Sequence, residues 1–228
     1  MTLQEKLNQL GNYTSQLLRK NFGRGPESCY ATFRTPFVIF YIRGFLSPME
    51  EVLLKQGHSD TIDVSRSIVI ESLLPELKGV IQVTLETEIR EFYHDWNFPN
   101  NTGIIAAVMD PTSSQVEPLD DGFPVQEKLE YEITRISHMV EKTPDKIESF
   151  QISPKLYVVM RTGILVPVEK ALVAKGYQQI LAVTKDEMEK ASFHRDGVFE
   201  EVFQQQVADI FVDWNVKEDK SLMCFVLK

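Results

Sequence analysis

The chain has 228 residues, 43% hydrophobic and 25% charged, with a formal net charge of −9. This is a globular rather than a disordered composition. The acidic balance excludes the basic surface that nonspecific nucleic-acid binding needs, and it disfavours attraction to an anionic membrane. Two cysteines, Cys29 and Cys224, lie far apart in strand-like runs and read as lone buried thiols of a reducing cytoplasm. The first residues are polar and periodic rather than a leader, and no run approaches the roughly 18 apolar residues of a membrane span.

In chain order, Leu3, Leu7, Leu10, Leu17 and Leu18 recur at helical spacing and predict an amphipathic helix over 2–21, ended by Gly23-Arg24-Gly25-Pro26. Residues 28–33 and 37–42 read as two strands about a turn at Arg34-Thr35-Pro36. The run Phe37–Ile42 is apolar on both faces, as a strand covered on both sides would be. Ser47-Pro48-Met49-Glu50 carries an N-cap, a first-turn proline and a capping-box glutamate, and Gly57 closes that short helix. A longer helix over 60–85 bears an apolar stripe, with Pro75 expected to kink or split it. Strands at 89–97 and 104–109 flank the turn Pro99-Asn100-Asn101-Thr102-Gly103.

The second half predicts the same series. It has a helix over 126–141, strands near 149–152 and 156–160, and a short helix over 167–175 closed by Gly176. A long helix follows within 180–209, with a break at Asp196-Gly197, and then a hairpin of 210–214 and 222–226.

The halves also match residue by residue at an offset of about 120. Glu5–Leu7 returns at Glu127–Leu129, Arg43–Glu50 returns degraded at Arg161–Glu169, and Asp95-Trp96-Asn97 returns at Asp213-Trp214-Asn215. That period is a domain's length. The expectation is an α+β protein of two tandem α-β-β-α-α-β-β copies, each a four-stranded antiparallel sheet packed with helices. Their bounds are 1–110 and 125–228, with a Pro-, Ser-, Asp- and Gly-containing linker over 111–124.

Three runs resemble one bacterial family: Phe22-Gly23-Arg24-Gly25-Pro26-Glu27-Ser28, Arg43-Gly44-Phe45-Leu46-Ser47-Pro48-Met49-Glu50 and Phe92-Tyr93-His94-Asp95-Trp96-Asn97. It is the MpsC-like family, whose name comes from a sodium-translocating, membrane-potential-generating system. The resemblance covers residues 3–109 well, and reaches the second half through Pro167, Glu169, Gly176 and Asp213-Trp214-Asn215. It implies a small soluble bacterial protein, in some cases associated with a membrane ion or bicarbonate transport system, and it brings no catalytic residues and no cofactor. Many members resemble single domains, so a tandem chain departs from that pattern.

The chemistry-bearing residues are sparse. Glu50 and Glu169 are explained by helix capping, and a shared catalytic carboxylate is the sharper alternative. Arg43 and Arg161 each end an apolar strand, and ion pairs with Asp95 and Asp213 would use both repeated residues. Arg19, Lys20 and Arg24 form a basic cluster beside a glycine-rich stretch that lacks a P-loop's Gly-Lys-Ser/Thr and follows a helix instead of preceding one. A ligand rim would draw on Arg24, Arg43, Asp95, Trp96 and Asn97. The histidines show no metal spacing, and no serine sits in a nucleophile elbow.

Three functions follow from this. The first is a non-catalytic cytoplasmic accessory or regulatory module acting through protein contacts, an intramolecular pseudo-dimer of the two copies that could also self-associate. The second is a small-molecule or anion sensor that uses the first copy. The third is an enzyme of unassigned class.

Overall fold

A computed structural model describes residues 1–110 and 122–228, so residues 111–121 of the expected linker lie outside the described residues. The chain divides into two compact units, Met1–Pro118 and Leu119–Lys228. The first contains α1 (Leu3–Phe22), β1 (Ser28–Arg34), β2 (Phe37–Arg43), α2 (Pro48–Lys55), α3 (Ser59–Leu85), β3 (Ile89–Asn97) and β4 (Thr102–Met109). The second contains α4 (Gln126–Val140), β5 (Lys146–Ser153), β6 (Leu156–Thr162), α5 (Pro167–Ala174), α6 (Gln178–Asp196), α7 (Phe199–Phe203), β7 (Val207–Asn215) and β8 (Lys220–Leu227). Each unit holds one four-stranded antiparallel sheet, ordered β1-β2-β4-β3 and β5-β6-β8-β7. The architecture is α+β, as expected.

Local chemistry accounts for the helix ends. Thr2 Oγ1 accepts from the Glu5 amide at 3.2 Å while the Thr2 amide donates to the Glu5 carboxylate at 2.7 Å, the reciprocal capping box. Gly23 ends α1 in the left-handed region at φ 73°, which costs glycine nothing. Pro75 lies inside one continuous α3 and does not split it. Ile70, Leu73, Leu77 and Ile81 on either side of the proline are all buried in one core. Packing on both sides outweighs the lost backbone hydrogen bond. In the second unit the break falls where glycine predicts it, between α6 and α7. There a Cβ on Gly197 would meet the Phe193 carbonyl oxygen at 2.5 Å.

In each unit alternate strand residues feed one helix-covered core. Val38, Phe40 and Ile42 of β2 and Ile105 and Ala107 of β4 meet Leu10, Leu17 and Leu18 of α1 and the α3 stripe. Tyr157, Val159, Met223 and Phe225 meet Leu129, Ile133, Ile136 and Phe193 in the second unit. The intervening Phe37, Ile39 and Tyr41 fall on the other face of their sheet by alternation.

The structure corrects the register of the repeat at two places. Along the first helices, the buried Leu10, Thr14, Leu17 and Leu18 match the buried Leu129, Ile133, Ile136 and Ser137. Glu5–Leu7 and Glu127–Leu129 are therefore not equivalent. At the strand ends, Gly44 and Gly163 share positive φ, at 66° and 70°. Their amides donate to the carbonyls of Asn101 and Asp219. Arg43 is thus the counterpart of Thr162, and Arg161 that of Ile42. A one-residue shift turns a strand side chain to the opposite face, so Arg43 is exposed and Arg161 is buried.

Gly103 pairs with Trp96 across β3 and β4, and a Cβ there would lie 2.0 Å from the indole ring. The second unit pairs Ser221 with Trp214 at the equivalent place. Gly103→Ala is expected to destabilise the first unit by about 1–3 kcal/mol through overpacking, read from urea unfolding. A loss of under ~0.5 kcal/mol, the range of ordinary surface substitutions, would show that the ring yields freely.

Candidate functional site

A buried charge pair of the first unit forms at the start of α2. Ser47 caps the helix, its Oγ accepting from the Glu50 amide at 3.3 Å, while its own amide donates to Glu50 Oε2 at 2.7 Å. This reciprocal cap turns the Glu50 side chain inward. There Arg66 of α3, only 2% exposed, meets it. Arg66 Nε donates to Glu50 Oε1 at 2.6 Å, and Nη2 donates to Oε2 at 2.9 Å and to the Phe45 carbonyl at 2.8 Å. Both carboxylate oxygens are thereby engaged in a bidentate pair.

The guanidinium is enclosed by aromatic rings. It stands 4.5 Å from the ring centroid of Trp96, 4.8 Å from Phe45, 5.5 Å from Phe98 and 5.9 Å from Phe22. These distances are within cation–π range. Burial alone would raise the Glu50 carboxyl, but the Arg66 guanidinium and the Ser47 groups outweigh it and hold it below the usual glutamate value. One charge pair thus ties together the end of α1, the β2–α2 loop, α2, α3 and the end of β3.

The loop bearing Phe45 is fixed by Asn101. This residue sits at φ 51°, and its Oδ1 accepts from the amides of Phe45 and Leu46 at 2.7 and 2.9 Å. Asp219 does the same for Ile164 and Leu165 at 2.8 and 2.7 Å.

The residues singled out in the sequence separate around this centre. Trp96 is buried and forms one wall of the Arg66 cage. Asp95 is buried, and its Oδ1 accepts from the Trp96 amide at 2.6 Å. Asn97 starts the turn, its Oδ1 accepting from the Asn100 amide at 3.3 Å. Arg43 and Asn97 flank Thr102 in one row of the sheet. Arg43 is exposed and forms no ion pair among the described residues. The expected Arg43–Asp95 pair is therefore not made, because β4 lies between the two strands and Arg43 stands two rows beyond Asp95 at the end of the sheet. Arg24 is half-buried and reaches Glu51 at 4.0 Å, and Lys20 reaches Glu76 at 3.9 Å. These are surface pairs of small energy.

Arg66, Phe22, Phe45 and Phe98 were missed in the sequence. The available signal was a charged residue standing between Ile62 and Ile70 in the buried stripe of α3.

The second unit rebuilds the same place with different chemistry. Glu169 keeps the capping role, its Oε2 accepting from the Val166 amide at 2.8 Å. Lys185 takes the position of Arg66 and is buried among three carboxylates. It lies 3.2 Å from Glu169 and 3.3 Å from Glu189, and it also pairs with Glu141.

Arg161, 1% exposed, joins this network. Its Nη2 donates to Glu189 Oε2 at 2.6 Å, Nε to Ser221 Oγ at 2.7 Å and Nη1 to Ser137 Oγ at 3.1 Å. These partners correct the expected Arg161–Asp213 pair. In the first unit the corresponding positions are Ile42, Ile70, Gly103 and Leu18, and Phe22 stands where Glu141 does. Burial alone would lower the Lys185 amine, but Glu189, Glu141 and Glu169 outweigh it and raise it. Burial alone would raise Glu189, and Arg161 and Lys185 outweigh it and lower it.

Among the described residues no group of three or more His, Cys, Asp or Glu side chains is placed to hold a metal ion, and no helix is long and apolar enough to cross a membrane. No curated protein and no solved structure matches the chain. The family described as Na+-translocating membrane potential-generating system (MpsC) matches residues 2–111 and again 125–228. The capped helix with its buried carboxylate–cation pair is thus what both matched segments build at the same place. The chain belongs to the MpsC family, as a tandem of two copies.

Proposed function

We propose that the protein is a non-catalytic cytoplasmic accessory or regulatory module, acting through protein contacts on a membrane ion or bicarbonate transport system. The observation that carries this reading is where each unit leaves apolar side chains uncovered. Met49 on α2 and Val168 on α5 hold equivalent positions and are 70% and 66% exposed. Leu172, Tyr177 and Ile180 lie exposed near Val168, and they line a groove of about 230 Å³ together with Leu181 and Thr184. Exposed apolar patches of this kind mark contact surfaces. The buried charges described above are engaged with one another inside each unit. The family's description, which names a Na+-translocating membrane potential-generating system, supports the choice of a membrane transport system as the partner class. Two tandem copies give two related contact surfaces, which raises avidity for a partner presenting two sites.

The test is photocrosslinking in cells from a benzoylphenylalanine placed at Met49, and separately at Leu172, with the captured protein identified by mass spectrometry. Adducts with an integral membrane transport subunit are expected. Adducts confined to soluble enzymes, or none, would contradict the proposal.

The exposed Arg43 beside Thr102 and Asn97 favours a second reading, an anion sensor. It requires a calorimetric bicarbonate or phosphate signal that disappears in Arg43→Ala.

A further inference from the structure

We infer that the second unit contains a proton-binding site at Glu141, inside the five-charge network of Glu141, Arg161, Glu169, Lys185 and Glu189. In the first unit the buried pair is balanced, one carboxylate on one guanidinium. In the second unit three carboxylates share two cations among the described residues, and their side chains are between 1% and 15% exposed. An uncompensated charge in such surroundings is costly, and protonation of one carboxylate removes it.

Geometry selects which carboxylate takes the proton. Glu189 is held by both Arg161 and Lys185, at 2.6 and 3.3 Å. Glu169 is held by Lys185 and by the Val166 amide of its own cap. Glu141 has Lys185 as its ion-pair partner, and its side chain is the most exposed of the three at 15%. It also occupies the C-cap of α4, where the helix dipole presents its negative end and disfavours an anion.

Among the described residues the other charges nearby do not supply the missing cation. Lys142 is directed to Asp145 at 2.9 Å and to the Gly163 carbonyl at 2.8 Å. His138 on α4 meets the Thr143 hydroxyl at 3.3 Å. Facing Glu141 are Glu169 from α5 and Lys185 and Glu189 from α6, with Arg161 of β6 behind Glu189. Burial and the neighbouring carboxylates Glu189 and Glu169 raise the Glu141 carboxyl despite the opposing Lys185.

The site has a built-in consequence. The network joins the end of α4 to α5, α6 and β6, so uptake of a proton from water neutralises the excess charge and tightens that junction. Ionisation leaves one net negative charge and loosens it. A carboxyl raised in the folded state contributes stability that is fully present below its unfolded value. That stability is lost as pH rises through the folded value. The first unit, with Phe22 at this position, has no such group.

The test uses the full chain with 13C-carboxyl glutamate, assigned through Glu141→Gln. Glu141 is expected to titrate above the exposed glutamates. Amide protection at the end of α4 and in α5 is expected to fall as it ionises, and this fall is expected to be lost in Glu141→Gln. Titration within or below the exposed range overturns the site. Survival of the protection change in Glu141→Gln overturns its coupling to the helices.

Discussion

Replacing Glu50 by alanine is expected to lower the stability of the first unit by about 3–5 kcal/mol, the cost of leaving a buried cation without its partner. Arg66 would keep the Phe45 carbonyl and its aromatic walls but lose two charge-assisted hydrogen bonds and the one counter-charge it meets among the described residues. The same substitution removes the acceptor of the Ser47 amide, so part of the loss comes from the cap, typically ~1 kcal/mol. Glu50→Gln separates the two, because it keeps an acceptor for the cap and removes the charge. Each unit carries one of the two tryptophans, Trp96 and Trp214. Urea unfolding of a Trp214→Phe background followed by fluorescence therefore reports the first unit alone. A loss below about 1 kcal/mol, the range of an exposed pair, would show that the pair does not hold the unit together. The pH dependence has a definite sign. A glutamate held below its ordinary value stabilises above that value, and this contribution is lost as acid titrates the folded carboxyl, so Glu50→Ala flattens that limb.

Lys185→Met is expected to be equally severe and to carry the opposite pH signature. It removes the ammonium from Glu141, Glu169 and Glu189 and leaves Arg161, on Glu189, as the remaining cation of the network. The loss at pH 7 to 8 is about 3–5 kcal/mol. It shrinks toward pH 5, because carboxylates crowded with one cation fewer rise above their unfolded values and become neutral on folding, so the variant is stabilised by acid. Lys185→Arg should recover most of the stability, since the first unit carries arginine at this position. Unfolding followed from Trp214 in a Trp96→Phe background measures both effects. A Lys185→Met loss that does not vary between pH 5 and 8 would mean the three carboxylates are not coupled.

Features coded locally were legible in the sequence. The α2 box, with Ser47, Pro48 and Glu50, reads directly as a helix start, and Glu169 with Pro167 repeats it without the hydroxyl. The duplication and the element order were legible because apolar periodicity and glycine stops do not depend on long-range contacts. The exact register was not. Arg161 resembles Arg43 in the sequence, yet one position along a strand decides between core and solvent, and only the paired glycines Gly44 and Gly163 fix which.

The centre of each unit was illegible for a different reason. Glu50 alone looks like a cap and Phe22 like a helix terminus, and Arg66, though it falls in the α3 stripe between Ile62 and Ile70, names no partner there. Their common role appears once α1, α2, α3 and β3 converge. In the second unit Glu141, Arg161, Glu169, Lys185 and Glu189 come from four elements, and only the i,i+4 pair Lys185–Glu189 is linked by a spacing rule. Trp96 was picked out from its repeated Asp-Trp-Asn setting, but what it contacts is a cation of its own chain.

Sodium flux in inverted membrane vesicles tests the proposed role most directly, comparing vesicles from cells that express the protein with vesicles from cells that lack it. Flux is expected to fall without the protein and to return when the purified full chain is added. A chain altered at the exposed apolar positions, Met49→Glu with Leu172→Glu, should fold normally but fail to restore it. Unchanged flux in vesicles lacking the protein, or full rescue by the Met49→Glu, Leu172→Glu chain, would contradict a module that acts on the transport system through those surfaces.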